Sequence, residues 1–191
     1  SIGDMYIRMH KRDTQGRILL DDNGTPLSTD HELAGNAEPD FSIGWANNFT
    51  IGDRLTAGFI INGKFGGEVY SHTETMLNGF GVSARSGAAR DAGSISVNAA
   101  TESSGAAVSS ADPVKWYTAL GDRNGIGEPY IYDRTNIRLT QLSIGYNLDT
   151  SSLGIPIEGA TISLIGNNLL YSAEAPFDPD VAISPSRSTQ G

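Results

Sequence analysis

Residues 41–65 read FSIGWANNFTIGDRLTAGFIINGKF, and this stretch decides the fold. Large apolar side chains alternate with small or polar ones through its first half, and the alternation resumes after residues 52–54. Successive side chains of a β-strand point to opposite faces of a sheet, so this alternation predicts strands with one apolar face. The stretch is therefore predicted to be a hairpin of two such strands.

The turn of this hairpin fixes how its strands pair. If Phe49 and Leu55 share a face of an antiparallel pair, the connecting loop must hold an odd number of residues, and residues 52–54 satisfy this. Phe41 then lies opposite Phe65. The predicted apolar face carries Phe41, Ile43, Trp45, Phe49, Ile51, Leu55, Ala57, Phe59, Ile61 and Phe65.

Two later segments show a similar pattern, while helical periodicity is scarce along the whole chain. In residues 142–148, Leu, Ile, Tyr and Leu alternate with Ser, Gly and Asn. The alternation in residues 160–171 is weaker, with Ile162 and Leu164 set against Thr161 and Ser163. These patterns predict an all-β chain of antiparallel strands.

The connections between the predicted strands differ greatly in length. The turn at 52–54 is short, whereas residues 66–135 separate the hairpin from the next strand. Outer-membrane barrels combine short periplasmic turns with long extracellular loops, so the asymmetry favours part of a large transmembrane β-barrel. Within the long connection, Gly79 to Ala111 is rich in Gly, Ala and Ser and is predicted to be mobile or thinly packed. A soluble β-sandwich, which shows similar alternation, is the alternative fold.

This interpretation divides the chain into five segments and makes it a fragment, since it begins without Met and ends before a last barrel strand. The predicted apolar strand faces meet outer-membrane lipid. The segments are an extracellular loop at 1–40 with a small hairpin around Met5 to Leu20, the barrel hairpin at 41–65, a long extracellular loop at 66–135, two barrel strands at 136–171, and a loop at 172–191 leading to a missing final strand.

Composition excludes several functions. The chain has 13 Lys+Arg against 22 Asp+Glu, a formal net charge of -9, so a nucleic-acid backbone is not an expected partner. Cysteine is absent, and His10, His31 and His72 lack the spacing of a metal site, so they are interpreted as exposed loop residues. No nucleophile or carboxylate pair stands out. The sequence predicts no catalytic residue, no cofactor and no metal, and hence no enzyme.

Four aromatic residues of the long connection are the candidate binding residues. Trp116, Tyr117, Tyr130 and Tyr132 have rings that stack on a sugar or on a peptide side chain when they are exposed. The competing interpretation is that the same rings anchor the connection against the barrel rim. Both interpretations stay open at the level of sequence.

Three stretches carry a resemblance to a known family. Residues 35–44 read GNAEPDFSIG and are followed by GKFGGEVY at 63–70; residues 136–148 read NIRLTQLSIGYNL; and GNNL at 166–169 precedes FDPDV at 177–181. In order and spacing they resemble the C-terminal part of the SusC/RagA family of TonB-linked outer-membrane transporters. The resemblance implies a barrel of about 22 strands with a plugged lumen, of which this chain supplies about four.

The resemblance also implies partners and substrates. Members of the family import glycan or peptide fragments beneath a SusD-like surface lipoprotein, energised by TonB, and their TonB-contacting region lies N-terminal to the part matched here. The expected location is the bacterial outer membrane, with an oligosaccharide or oligopeptide as substrate. A secreted β-rich glycan-binding module is the alternative function, and a surface-exposed hydrolase is a third.

Overall fold

The computed structural model describes residues 2–149 and 159–180. The loop predicted at 172–191 therefore lies outside the described residues beyond position 180. The described chain folds into two compact units. Unit 1 consists of residues 2–37 and 68–132, and unit 2 consists of residues 38–67 and 133–180.

Strands dominate both units of the described chain, and three short α-helices and one turn of 3-10 helix (Glu128–Tyr130) accompany them. None of these helices is long and apolar enough to cross a membrane. In chain order the elements are β1 (Asp4–His10), β2 (Ile18–Leu20), β3 (Ser28–Asn36), β4 (Phe41–Ile51), β5 (Leu55–Phe65), β6 (Glu68–Tyr70), α1 (His72–Gly79), α2 (Ala84–Ala92), β7 (Ile95–Thr101), β8 (Ala107–Ala111), α3 (Pro113–Gly121), β9 (Ile131–Asp133), β10 (Asn136–Leu148) and β11 (Ala160–Ala173).

Unit 2 is built on one four-stranded antiparallel sheet with the order β11-β10-β5-β4. The predicted hairpin is confirmed, since Phe41 pairs with Phe65 and Ile51 pairs with Leu55 around the turn at 52–54. The 11 residues each of β4 and β5 match the ~9–11 that a tilted strand needs to cross a bilayer. The predicted barrel strands at 136–171 are present as β10 and β11.

A β-bulge in β10 changes which residues share a face. Leu139 pairs with Ile61 of β5, but Gln141 pairs with Ile60, so Thr140 is one extra residue in β10. A bulge of this kind shifts the alternation of side chains by one position. The apolar side chains of β10 are therefore odd-numbered before the bulge (Ile137, Leu139) and even-numbered after it (Leu142, Ile144, Tyr146, Leu148).

Unit 1 has a hydrophobic core of its own, which corrects the prediction of a mobile, thinly packed stretch between Gly79 and Ala111. That stretch contains α2, β7 and β8, and Ala99 and Ala111 are buried in the core. Its many small residues indicate a loop when they are read from composition alone. In the structure, small side chains instead allow β7 to pack closely, parallel to β2 and antiparallel to β8. The core comprises Leu20, Ala99, Ala111, Trp116, Tyr117, Leu120, Ile126 and Tyr130.

The pairing of β1 corrects the small hairpin predicted around Met5 to Leu20. β1 pairs with β3, so that Asp4 lies opposite Asn36 and His10 lies opposite Ser28. Only the tip at residues 11–19 forms a local turn, held by backbone hydrogen bonds between Asp13 and Arg17 and between Leu19 and Lys11. The longer pairing satisfies more backbone groups than the local one.

The helices of unit 1 begin at side-chain caps and meet at glycines. Ser71, Ser83 and Asp112 each accept a hydrogen bond from a backbone N–H in the first turn of α1, α2 and α3 respectively. Where α1 and α3 end, a Cβ added to Gly79 would lie 2.5 Å from the Cα of Gly121. Only glycine at both positions permits this backbone contact.

Candidate functional site

The four-stranded sheet has one apolar face, as predicted. The predicted outward-facing residues of β4 and β10 are between 37% and 55% exposed. Those of β5, namely Leu55, Ala57, Phe59 and Ile61, are instead half-buried, because β5 has a neighbouring strand on each side. No residue of either group is buried in a closed core, so the prediction of an uncovered apolar face is confirmed for β4 and β10. The exposed set is Phe41, Ile43, Trp45, Phe49, Leu142, Ile144, Tyr146 and Leu148.

Aromatic contacts lie across the β4–β5 pair on this face. The rings of Phe41 and Phe65 stack with centroids 4.8 Å apart. Phe59 meets Trp45 edge to face at 4.9 Å and also lies 6.1 Å from Phe49. Such contacts add about 0.5–1.5 kcal/mol each beyond the area that they bury. They fix the side chains of a face over which the described residues of unit 2 place no other protein layer.

The opposite face is polar, and its glycines let neighbouring polar side chains lie close to the backbone. Gly58 pairs with Asn48 and Ser143, and a Cβ at Gly58 would overlap the side-chain oxygens of both. Gly145 pairs with Thr56 and Ser163, and a Cβ at Gly145 would overlap the Thr56 hydroxyl. Asn62 donates a hydrogen bond to Thr140 at 2.7 Å. The result is a surface of amides and hydroxyls, the lining expected of a wet lumen.

Two apolar side chains interrupt the polar face. Ile60 pairs with Ala46 and Gln141, and Ile165 pairs with Ser143. Ile165 is 55% exposed. Small polar residues therefore share this face with two large apolar ones.

Charged residues gather at one end of the polar face. Arg138 donates two hydrogen bonds to Asp178, from Nη1 to Oδ2 at 3.1 Å and from Nη2 to Oδ1 at 2.7 Å. Asp180 accepts from Arg138 at 3.2 Å and from Lys64 at 2.8 Å, and its Oδ1 lies 3.7 Å from Arg134 Nη2. The two carboxylates thus hold residues 174–180, called here the strap, against the sheet.

The strap is packed as well as ion-paired. Ala175 is 6% exposed and Pro179 is less than 2% exposed. The Arg138 hydrogen bond, which outweighs partial burial, lowers the pKa of the Asp178 carboxyl below its usual range. Asp178 is therefore ionised at neutral pH. The two carboxylate partners of Arg138 lie 40 and 42 residues further along the chain, where no local sequence pattern indicates them.

Three of the four predicted binding residues are core residues. Trp116, Tyr117 and Tyr130 are 8%, 8% and 0% exposed, and all three belong to the core of unit 1. Burial raises the pKa of Tyr130 to about 12. Their rings pack inside unit 1 and present no open face to a ligand.

Tyr132, the fourth predicted residue, is half-buried. Its hydroxyl donates a hydrogen bond to Glu74 Oε2 at 2.5 Å. Burial, together with this bond to a carboxylate, raises the pKa of Tyr132 to about 12. A contact between Tyr132 and a ligand or a lid stays a prediction.

His10 is buried, which corrects its interpretation as an exposed loop residue; His31 and His72 are exposed as predicted. Its Nδ1 lies 2.8 Å from Glu128 Oε2, and its ring stacks on Trp116 at 5.5 Å. Burial lowers the pKa of His10 below 6.5 and outweighs the opposing effect of Glu128. No group of three or more metal-binding side chains occurs among the described residues.

Unit 1 is expected to lose stability under mildly acidic conditions because of His10. The unfolded chain binds a proton at its ordinary pKa of 6.5, whereas the folded chain resists protonation until a lower pH. Stability therefore falls as pH drops through that window. This loss of stability is measured by the hydrogen exchange of β7 and α3 amides at about pH 7.5 and at about pH 5.5, with a correction for intrinsic exchange rates. Protection free energies that are the same at both pH values would contradict the assignment of neutral His10.

Comparisons with known proteins agree with this geometry. TonB-dependent receptor P3 of Formosa agariphila is 27% identical over 173 residues, which cover 84% of this chain and 15% of the receptor. No family model matches the chain. The chain thus spans less than a sixth of that curated relative.

Solved structures show the same fold. The RagAB peptide transporter superposes with a TM-score of 0.55 at 16% identity, over 93% of this chain and 20% of that one. The RagAB peptide importer in its closed-closed state gives a TM-score of 0.51 at 14% identity, over 90% of this chain and 20% of that one. The relative and the folds together confirm the resemblance drawn from the three sequence stretches. The chain is therefore similar in sequence to a segment of a TonB-dependent receptor and has the fold of part of the RagAB transporter, and proteins of this SusC/RagA type are outer-membrane proteins of Gram-negative bacteria.

Proposed function

We propose that the receptor containing this segment imports small oligomers across the outer membrane, with energy supplied through TonB. The observation that carries the proposal is the two-faced sheet of unit 2. One face exposes large apolar side chains that only lipid or another apolar layer covers favourably, and the other presents amides and hydroxyls. TonB is expected to contact a part of the receptor outside this chain.

The chain leaves the sheet at the end opposite the 52–54 turn, where Phe41, Phe65 and Asn136 lie. If the short turn is periplasmic, the connections made by residues 2–37 and 66–135 are extracellular. The folded unit that these connections form is suited to contact a surface lipoprotein. We place a SusD-like lipoprotein lid there, with Tyr132 as the remaining candidate contact.

Peptides and glycan fragments are the proposed substrates. The solved relatives are described as a peptide transporter and importer. The net charge of -9 disfavours polyanions such as polyphosphates. The polar face offers hydrogen-bond donors and acceptors to neutral sugars and to peptide groups alike.

A secreted glycan-binding module remains the second candidate, because exposed polar faces also bind sugars. The two functions differ in what covers the apolar face. A glycan-binding module should be soluble when it is expressed alone, whereas a receptor segment exposes an apolar face and two sheet edges and should aggregate without detergent or its neighbouring strands. The relatives are named as receptors and transporters, so a hydrolase is not proposed.

The proposal is tested by uptake in cells that carry the whole receptor. Labelled oligopeptides and oligosaccharides are supplied to the wild type, to a strain lacking the receptor, and to a strain lacking TonB. We expect uptake of one substrate class in the wild type alone, and a lipoprotein that co-purifies with the receptor. Equal uptake in all three strains would contradict import, and soluble secreted receptor would favour the module.

A further inference from the structure

Lys64 and Arg138 are the only charged residues in the four strands of the sheet, all of which the structure describes. Both lie at the same end of the polar face, since Lys64 pairs with Asn136 and Arg138 pairs with Asn62. Arg134 adds a third cation just before β10. A cationic cluster stands on a face that otherwise carries no charge.

The cluster has the geometry of a carboxylate site. The guanidinium of Arg138 engages both oxygens of Asp178, the fork-to-fork arrangement in which Arg binds carboxylates most specifically. The Tyr171 ring lies 5.7 Å from Arg138 Cζ and helps to orient it. Lys64 and Arg134 direct their charges at a second carboxylate, that of Asp180.

Both carboxylates come from the strap and not from the sheet. Lys64, Arg134 and Arg138 contact these two carboxylates through four ion pairs. The five side chains are between 18% and 38% exposed, which leaves them within reach of solvent. Ion pairs that are open to water to this degree exchange partners at modest cost.

We propose that Lys64, Arg134 and Arg138 form a binding site for a substrate carboxylate, which Asp178 and Asp180 occupy in its absence. The inference rests on the proposed import function and names a chemical feature of the substrate. The carboxylate is either the C-terminus of a peptide or the uronate of an acidic glycan fragment. Its arrival displaces the strap from the polar face.

Removing the charges of Asp178 and Asp180 has opposite expected effects on ligand affinity, depending on whether these carboxylates compete with the ligand or only stabilise the site. When an internal group occupies a site, apparent affinity for a ligand is reduced by the fraction of time that the site is free. Asp178→Asn combined with Asp180→Asn should therefore raise the affinity for a carboxylate ligand by about ten-fold. If the ion pairs only stabilise the site, the same double variant should bind more weakly or unchanged.

The test uses the whole purified receptor with two pairs of probes. Tri-alanine is compared with its C-terminal amide, and tri-galacturonate is compared with tri-galactose, in each case by calorimetry. Arg138→Gln should abolish the preference for the acid member of the pair that the receptor binds. Glu174→Gln is the matched control, because it removes one negative charge from the strap at an exposed position with no ion pair to the cluster among the described contacts.

Tighter binding of the acid by the Asp178/Asp180 double variant, with loss of that preference in Arg138→Gln and no change in Glu174→Gln, supports the proposal. Equal affinity for acid and neutral probes in the wild type would overturn it, even where uptake assays show import. Weaker acid binding in the double variant would also overturn it. Failure of import itself appears separately, as absence of uptake of any probe.

Discussion

Replacing Phe59 by arginine is expected to prevent most of the receptor from assembling in the outer membrane. Phe59 lies near the middle of β5 on the apolar face, in contact with the rings of Trp45 and Phe49. A cation on the lipid face near the bilayer midplane costs about 2–4 kcal/mol, and the ring contacts are lost in addition. Heat-modifiable migration on electrophoresis measures the assembled fraction.

Asn48→Arg is the matched control for this change. Asn48 pairs with Gly58, the neighbour of Phe59, so it lies at a similar depth but on the polar face. We expect nearly normal assembly, because water solvates the added charge there. Asn62 is a poorer control, since it lies opposite Arg138 and an added cation would be repelled. Equal loss of assembly in both variants would refute the assignment of the faces.

Gly121→Ala is expected to unfold much of unit 1 while leaving the sheet of unit 2 intact. A Cβ at Gly121 would overlap the backbone of Gly79, and backbone cannot move aside as a side chain can. The expected loss of stability is about 3 kcal/mol, the upper end of the usual cost of overpacking. Increased hydrogen exchange in α1 and α3, with no change in β5 and β10, is the expected result.

Gly87→Ala provides the control in a neighbouring helix. Nothing lies within 4 Å of a Cβ added at Gly87, which is an interior residue of α2. Alanine favours helix over glycine by about 0.8–1.0 kcal/mol, so this variant should be slightly stabilised. Protection of α3 that is unchanged in Gly121→Ala would show that the glycine contact does not determine the stability of unit 1.

The hairpin of β4 and β5 was predictable down to its register because its determinants are local. A three-residue turn and an alternation of apolar residues over two strands suffice to pair Phe41 with Phe65. The sequence indicates the bulge in β10 less clearly than it indicates the hairpin. Thr140 and Gln141 are two adjacent polar residues between Leu139 and Leu142, where strict alternation allows one.

The fold of unit 1 could not be predicted from composition. Its core joins β2 to β7, with Ile18 opposite Ala99, across some eighty intervening residues. Alanine and glycine indicate loops when they are read locally, yet here they allow elements to pack closely. Three of the four aromatic residues predicted to contact a ligand, Trp116, Tyr117 and Tyr130, are members of that core.

The charged cluster was only half predictable. Arg138 stands out as a cation in an otherwise uncharged strand. Its partners lie beyond the end of the next strand, and nothing local in the sequence pairs Arg138 with Asp178 rather than with another carboxylate. Long-range charge pairing depends on the return of the strap to the polar face, which only the folded structure shows.

The most direct test of a lipid face opposite a wet face is a spin-label scan along β10. Each residue from Ile137 to Leu148 is replaced singly by cysteine, which is unique in this segment because the segment has none of its own. Labels in the assembled receptor are then exposed to oxygen, which concentrates in lipid, and to a water-soluble nickel chelate. We expect the accessibility of the label to oxygen to be greatest at odd positions up to 139 and at even positions from 142 onward. The alternation should shift by one residue at Thr140, where the bulge lies. Uniform access of the nickel chelate, or alternation without that phase change, would contradict the account.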